Sequence, residues 1–262
     1  MKKKIIYTVG YTLFQNGNLI DIDRMFEILK EYNVNYLIDV RSVPYSSQFP
    51  QCNADTMKHK GKEKGIIYGH MPEVGAKVDE AYPVFSKASE IFREDIFPIV
   101  KSKRPEDSEL QAYDEIVDFN KFRESEIFQK GIKRIGDAYK QNFTLALMCS
   151  EKRPVDCHRF FLISRALEQK YGDWLEVHHI LYNEKKCLCT KTNEELYAEL
   201  REMIFKREEI SKLDVLNSSF FGPARINDYS GETINEKILD FCDRYWNLMH
   251  GWKKVSNIYN NV

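Results

Sequence analysis

Several things are missing from this chain, and each absence removes a class of protein. No stretch approaches the roughly 20 consecutive apolar residues of a membrane-spanning helix, so no membrane partner is expected. Charge of one sign is also lacking: 39 Lys and Arg stand against 40 Asp and Glu, a net of −1. That balance supplies no global attraction for nucleic acid or anionic lipid. The opening Met1-Lys2-Lys3-Lys4-Ile5-Ile6-Tyr7 runs straight into strand-like sequence, without the apolar region and small-residue cleavage site of a secretory signal. A cytoplasmic protein is therefore expected, with its six cysteines, Cys52, Cys149, Cys157, Cys187, Cys189 and Cys242, mostly reduced. There is no internal repeat and no low-complexity segment. Gly10 stands without G-x-G-x-x-G spacing, and neither a Walker-type lysine loop nor a G-x-S-x-G elbow occurs.

What the chain does have is an alternation of short apolar runs with segments of helical period. At 262 residues and 43% hydrophobic content it can bury a sizeable core. Ile5 to Val9 reads as a strand that turns at Gly10-Tyr11-Thr12. Ile20, Ile22, Met25, Phe26, Ile28 and Leu29 then recur at helical spacing, with Asn18 as N-cap. Tyr36-Leu37-Ile38 leads into Asp39-Val40-Arg41-Ser42, where Pro44 and Pro50 forbid a longer central strand. Gly65 to Tyr68 is a third strand, ending near His70. A helix over Ser125 to Tyr139, burying Ile127, Phe128, Ile132, Ile135 and Ala138, delivers the chain to a fourth strand in Phe143 to Met148. A helix starting near His158 precedes a fifth, Trp174 to Leu181.

These spacings predict an α/β domain over residues 1–182: an open three-layer αβα (Rossmann-like) fold with a mainly parallel five-stranded sheet. A helical insertion at about 76–126, broken by Pro98 and Pro105, interrupts it. A helical C-terminal extension over 183–262 follows, with one helix from about Asn193 to Arg207. The aromatics Phe220, Phe221, Tyr229, Phe241, Tyr245, Trp246 and Trp252 are expected to pack on the main domain or a sister subunit.

Parallel strands place the polar residues of interest at their carboxyl ends: Gly10 and Tyr11, Asp39 and Arg41, His70, and Cys149 with Glu151. Ligands of open α/β sheets bind outside that edge, where the strand order reverses. The loop from Cys149 to Arg159 is the densest in chemistry. Cys157, at a helix start beside Arg153 and Arg159, is expected to favour thiolate, and the free N–H groups of His158 and Arg159 suit a phosphate or carboxylate. The plainer alternative is a small buried hydrophobe. Asp39 and Arg41, two apart, share one side of an extended strand, which suits an ionised general base or a salt bridge bracing the loop. Glu151, two past Cys149, has the same two readings.

Cys149, Cys157, His158, His178, His179, Cys187 and Cys189 are the residue types that hold zinc. Their spacing does not match the paired C-x₂₋₄-C pattern, and adjacent His178 and His179 on a strand face opposite ways. Zinc is disfavoured on those grounds, and no cofactor is identified.

The ordered motifs Thr8-Val9-Gly10-Tyr11, Leu37 to Pro44, Ile67 to His70 with Glu73-Val74-Gly75, Ala146 to Glu151, Cys157-His158-Arg159 and Val177 to Ile180 resemble the domain-of-unknown-function family 488, over about Ile5 to Leu181. The resemblance implies a cytoplasmic α/β domain whose motif residues are here Gly10, Asp39, Arg41, Pro44, His70, Glu73, Gly75, Cys149, Glu151, Cys157, His158, Arg159, His179 and Ile180. Tyr11-Thr12 stands where relatives have His-Ser, and Val74-Gly75-Ala76 where they have Leu-Gly-Gly. The expectation is an enzyme acting on a small anionic, phosphorylated or nucleotide-like substrate. Asp39, Cys149, Glu151, Cys157 and His158 would be catalytic, and Gly10, Tyr11, Arg41, His70 and Arg159 would bind substrate. Its alternatives are a non-catalytic nucleotide- or anion-binding protein and a thiol redox or zinc-binding protein; a nucleic acid finds no support in the net charge.

Overall fold

The structure, a computed structural model, describes residues 3–76, 85–87, 115–141, 143–207, 229–233, 235–237 and 239–247. The insertion's Pro98 and Pro105 and the tail's Phe220, Phe221 and Trp252 lie outside the described residues. The chain divides into two compact units, residues 1–77 with 123–195, and residues 78–122 with 196–262.

The first unit is built on a six-stranded sheet. Its strands are β1 (Lys4–Gly10), β2 (Tyr36–Asp39), β3 (Ile67–His70), β4 (Leu145–Cys149), β5 (Leu175–Tyr182) and β6 (Leu188–Thr192). They lie in the order β6-β5-β1-β4-β2-β3. The first five are mutually parallel, as the sequence predicts, and β6 is antiparallel on the edge. Helices α1 (Ile22–Glu31), α2 (Ala54–Lys64), α3 (Glu126–Lys140) and α4 (Arg165–Tyr171) make the crossovers of a three-layer αβα fold. From β2 the chain leads outward to β3, whereas from β4 it passes over β1 to β5. The strand order therefore reverses between β2 and β4, and the crevice at their carboxyl ends is where such folds place ligands.

Local chemistry accounts for the elements. Asp21 caps α1 by accepting the Arg24 N–H at 2.9 Å, and Ile22, Met25, Phe26 and Leu29 form its buried stripe. Asn18, the expected cap, lies instead in the turn joining the paired segments Gln15–Asn16 and Leu19–Ile20. Gly65 is not in the third strand: it ends α2 with a left-handed φ of 75°, the conformation a helix C-terminus takes most readily with glycine. Ser125 caps α3, which buries Phe128, Ile132, Ile135 and Tyr139. Phe128, Ile132 and Ile135 are buried as expected, whereas Ile127 is exposed and Ala138 half-buried, Tyr139 taking the last place in the stripe.

The sixth strand is the main addition to the expected architecture. Asn183 Oδ1 accepts the Cys187 N–H at 2.9 Å, Lys186 takes a left-handed φ of 57°, and the chain doubles back on β5. Every residue of β6 is half-buried, so no apolar run announces it. Ala146 and Met148 of β4 join Val9, Leu37, Phe26 and Met57 in one cluster, while Leu145, Leu147, Phe128 and Phe160 are buried as well. Each such side chain contributes about 1.5–3 kcal/mol by leaving water. Among the described residues no helix is long and apolar enough to cross a membrane.

The second unit is described in part. Phe85–Lys87 pairs antiparallel with Glu115–Val117. Asn247 accepts the Phe119 N–H at 2.7 Å and donates to the Val117 carbonyl at 3.0 Å, and Trp246 lies 5.3 Å from the Phe119 ring. Segments far apart in the chain thus form one body.

In the first unit a polar thread runs through the core. His179 is fully buried; its Nε2 donates to Asn193 Oδ1 at 2.6 Å and its Nδ1 accepts the Thr8 hydroxyl at 2.7 Å. Burial brings this imidazole down to about 3, so it stays neutral when folded. An unfolded histidine takes up its proton near pH 6.5, so stability falls as pH drops below about 6.5, by up to about 1.4 kcal/mol per unit, until the folded group titrates. Urea unfolding of the wild type and His179→Gln between about pH 7 and pH 5 measures this. The wild type is expected to lose stability more steeply toward acid, and parallel curves would refute the account.

Candidate functional site

The loop after β4 is held from three sides. Gly10 pairs in register with Cys149, and a Cβ on Gly10 would stand 1.8 Å from the Glu151 carbonyl oxygen. Only glycine permits that approach. Thr12 donates its N–H and its hydroxyl to the Ser150 carbonyl at 3.2 and 2.5 Å. Arg159, fully buried, donates Nη1 to the Glu151 carbonyl at 2.6 Å and Nη2 to that of Lys152 at 3.2 Å. Three successive carbonyls are thereby fixed. In place of the anion expected at Arg159, its guanidinium holds main chain, and its Nε has no hydrogen-bond partner. Gly10, expected to approach substrate, makes room for the loop.

A short 3₁₀ turn, Pro154–Asp156, then carries the chain back to Cys157 and His158. Arg159–Ser164 winds as a π-helix before α4 begins, a local widening common at functional sites. Cys149, Cys157 and His158 are all buried and bring one sulfur, a second sulfur and a ring nitrogen within 4.8 Å of one another. Nδ1 of His158 lies 3.7 Å from Cys149 Sγ and 3.9 Å from Cys157 Sγ. Both sulfurs stand 3.0 Å from the same oxygen, Glu151 Oε2. Glu151 itself faces solvent.

His158 Nε2 is 3.0 Å from the Val40 carbonyl oxygen. A carbonyl only accepts, so Nε2 carries a proton, and Nδ1 is the nitrogen that faces the sulfurs. Burial raises the Cys149 thiol, but the hydrogen bond from Cys157 and the charges of His158 and Arg159 outweigh it and hold that thiol well below the usual cysteine range. Burial drives Cys157 the other way, aided by its bond to Cys149 and the charge there. His158 is opposed by burial yet raised by the negative charge on Cys149. The thiol held down is thus Cys149, which has the bond from Cys157 and the charge of His158, not Cys157 as the helix-start reasoning expects. Two bare anions do not stand 3.0 Å apart, so a proton or a cation belongs between Cys149 and Glu151.

Asp39 and Arg41 form the opposite wall. Arg41 donates Nε and Nη2 to Asp39, the shortest contact 2.6 Å, and Nη2 also reaches the Cys52 carbonyl at 2.8 Å. Burial works against this guanidinium, but its bonds to Asp39 keep it charged. Asp39 also accepts the Arg41 N–H and the Tyr68 hydroxyl, the latter at 2.7 Å. With all these donors it braces the loop, and the salt-bridge reading of this pair is the one the geometry favours over a general base. Tyr11 is buried with its ring 5.3 Å from the Arg41 guanidinium, and His70 Nε2 donates to the Arg41 carbonyl at 2.8 Å. His178 turns to Glu176 at 2.6 Å, and Cys187 is exposed.

The sequence reading overlooks two groups. Tyr68 has a signal: it lies two residues before His70, hence on the same side of its strand, and β3 pairs Leu37 with Tyr68 and Asp39 with His70. The Val40 carbonyl has none, since a main-chain acceptor is invisible to residue type. The clamp itself is testable: Gly10→Ala is expected to destabilise the protein by about 2–3 kcal/mol and to raise the rate at which Cys149 and Cys157 react with a thiol reagent. Unfolding curves and thiol kinetics that match the wild type would refute the clamp.

No curated protein and no solved structure matches the chain. A match to a family model covers part of it, including Asp39, Arg41 and His70 but neither Gly10 nor the segment from Cys149 to Arg159. Over residues 21–96 the chain matches the family described as Domain of unknown function DUF488, the family its motifs resemble.

Proposed function

We propose that the protein is an enzyme whose reaction centre is the crevice between the carboxyl ends of β2 and β4, acting on a small phosphorylated or nucleotide-like molecule. One observation carries this reading: two sulfurs and an imidazole nitrogen, from Cys149, Cys157 and His158, lie within 4.8 Å of one another, with a Glu151 carboxylate oxygen 3.0 Å from each sulfur. Such a set is suited to an electrophile and serves no packing purpose that apolar side chains would not serve better. Cys149 supplies negative charge, and His158, held by Val40, receives or returns a proton at Nδ1. Glu151, exposed to solvent, carries protons between the centre and water. The preference for an anionic substrate rests on Nη1 of Arg41, which is buried and has no hydrogen-bond partner.

The full chain incubated with a panel of phosphate esters and nucleotides, with products followed by mass spectrometry, tests this. Turnover is expected, and Cys149→Ser and Glu151→Gln are each expected to lower it by about 10²–10⁴. Saturable binding without any product would put the non-catalytic ligand-binding alternative in its place. Turnover unaffected by both substitutions would move the reaction elsewhere.

A further inference from the structure

We infer that Cys149, Cys157 and His158 are three ligands of a zinc ion whose fourth position is exchangeable. The inference rests on the reading of this cluster as the reaction centre only for the use of the ion, not for its binding.

The argument from geometry is quantitative. Zinc holds sulfur at about 2.3 Å and imidazole nitrogen at about 2.0–2.1 Å in a tetrahedron, which sets the edges between ligand atoms at about 3.5–3.8 Å. The two sulfur-to-Nδ1 separations are 3.7 and 3.9 Å. Glu151 Oε2 lies 3.0 Å from each sulfur, closer than such an edge, and the fourth position opens on its side, where Glu151 faces solvent while the other three residues are buried. Water or a substrate oxygen reaches the ion from that side, as in zinc sites with three firm protein ligands and one exchangeable position.

The surroundings fit as well. A metal-bound histidine usually donates its other ring N–H to a carbonyl or carboxylate, and His158 does so to Val40. Spacing in the sequence misleads here because the ligands come from a strand end and the turn that folds back on it, not from two matched knuckles.

Protein purified without chelator is expected to contain about one zinc per chain by elemental analysis. After the metal is stripped by chelator, Co²⁺ added to the refilled site is expected to give the intense visible bands of a tetrahedral ion and a near-ultraviolet thiolate band. Cys149→Ser and Cys157→Ser are expected to lose both, while Cys187→Ser and Cys189→Ser keep them. Should the first two fail to fold, the cobalt spectrum of the stripped wild type decides by itself. Stripped protein of unchanged circular dichroism that gives no tetrahedral thiolate spectrum would overturn the inference, as would loss of metal only in Cys187→Ser or Cys189→Ser. Bound zinc without turnover of any substrate would leave the site standing and remove the enzyme reading; undiminished turnover in metal-free protein would do the reverse.

Discussion

The site depends on one constraint: the main chain after β4 has no freedom. The carbonyls of Ser150, Glu151 and Lys152 each accept a hydrogen bond from a fixed donor, Thr12 or Arg159, and Gly10 leaves no gap behind them. A loop carrying two thiols and a carboxylate would otherwise spread to solvate its charges, since concentrating such groups is unfavourable without compensation. Arg159 does two jobs at once. Its hydrogen bonds set the loop, and its charge makes the loop's anionic side chains tolerable.

The two walls of the crevice divide the work. The β2 wall is an ion pair saturated with donors, Asp39 with Arg41, its own backbone and Tyr68; its rigidity keeps the carbonyl of Val40 in place. The β4 wall holds the groups with unspent lone pairs. The bond from His158 to Val40 joins them, so the reactive imidazole is oriented by the inert wall. This is why residues of the same chemical kind end in opposite roles: a carboxylate surrounded by donors is a brace, and one beside two sulfurs and water is a reagent.

Much of the fold was legible in the sequence because parallel strands buried on both faces read as short apolar runs, as in Leu145 to Cys149, and because α1 and α3 show clear helical stripes. The edge strand β6 was not, since half-buried residues leave no period strong enough to see. The site was legible as a set of residues at strand ends but not as a set of roles. Arg159 looks like an anion binder, and Gly10 like a residue that approaches substrate, until their surroundings are known. Contacts with backbone atoms decide both cases, and residue type carries no record of them. Likewise the proximity of Cys149, Cys157 and His158 depends on the turn at Pro154–Asp156, which linear spacing does not encode.

The acceptor that orients His158 belongs to the main chain just past the end of β2, between Asp39 and Arg41. No exchange of side chain at position 40 deletes it. Were that acceptor an aspartate or an asparagine, single substitutions would flip the imidazole or free it; with a carbonyl, the orientation is inherited with the fold itself. Mutational drift around the crevice can therefore alter which molecule is admitted while leaving the polarity of the imidazole intact, and selection for new substrates has room to act on the rim without dismantling the centre.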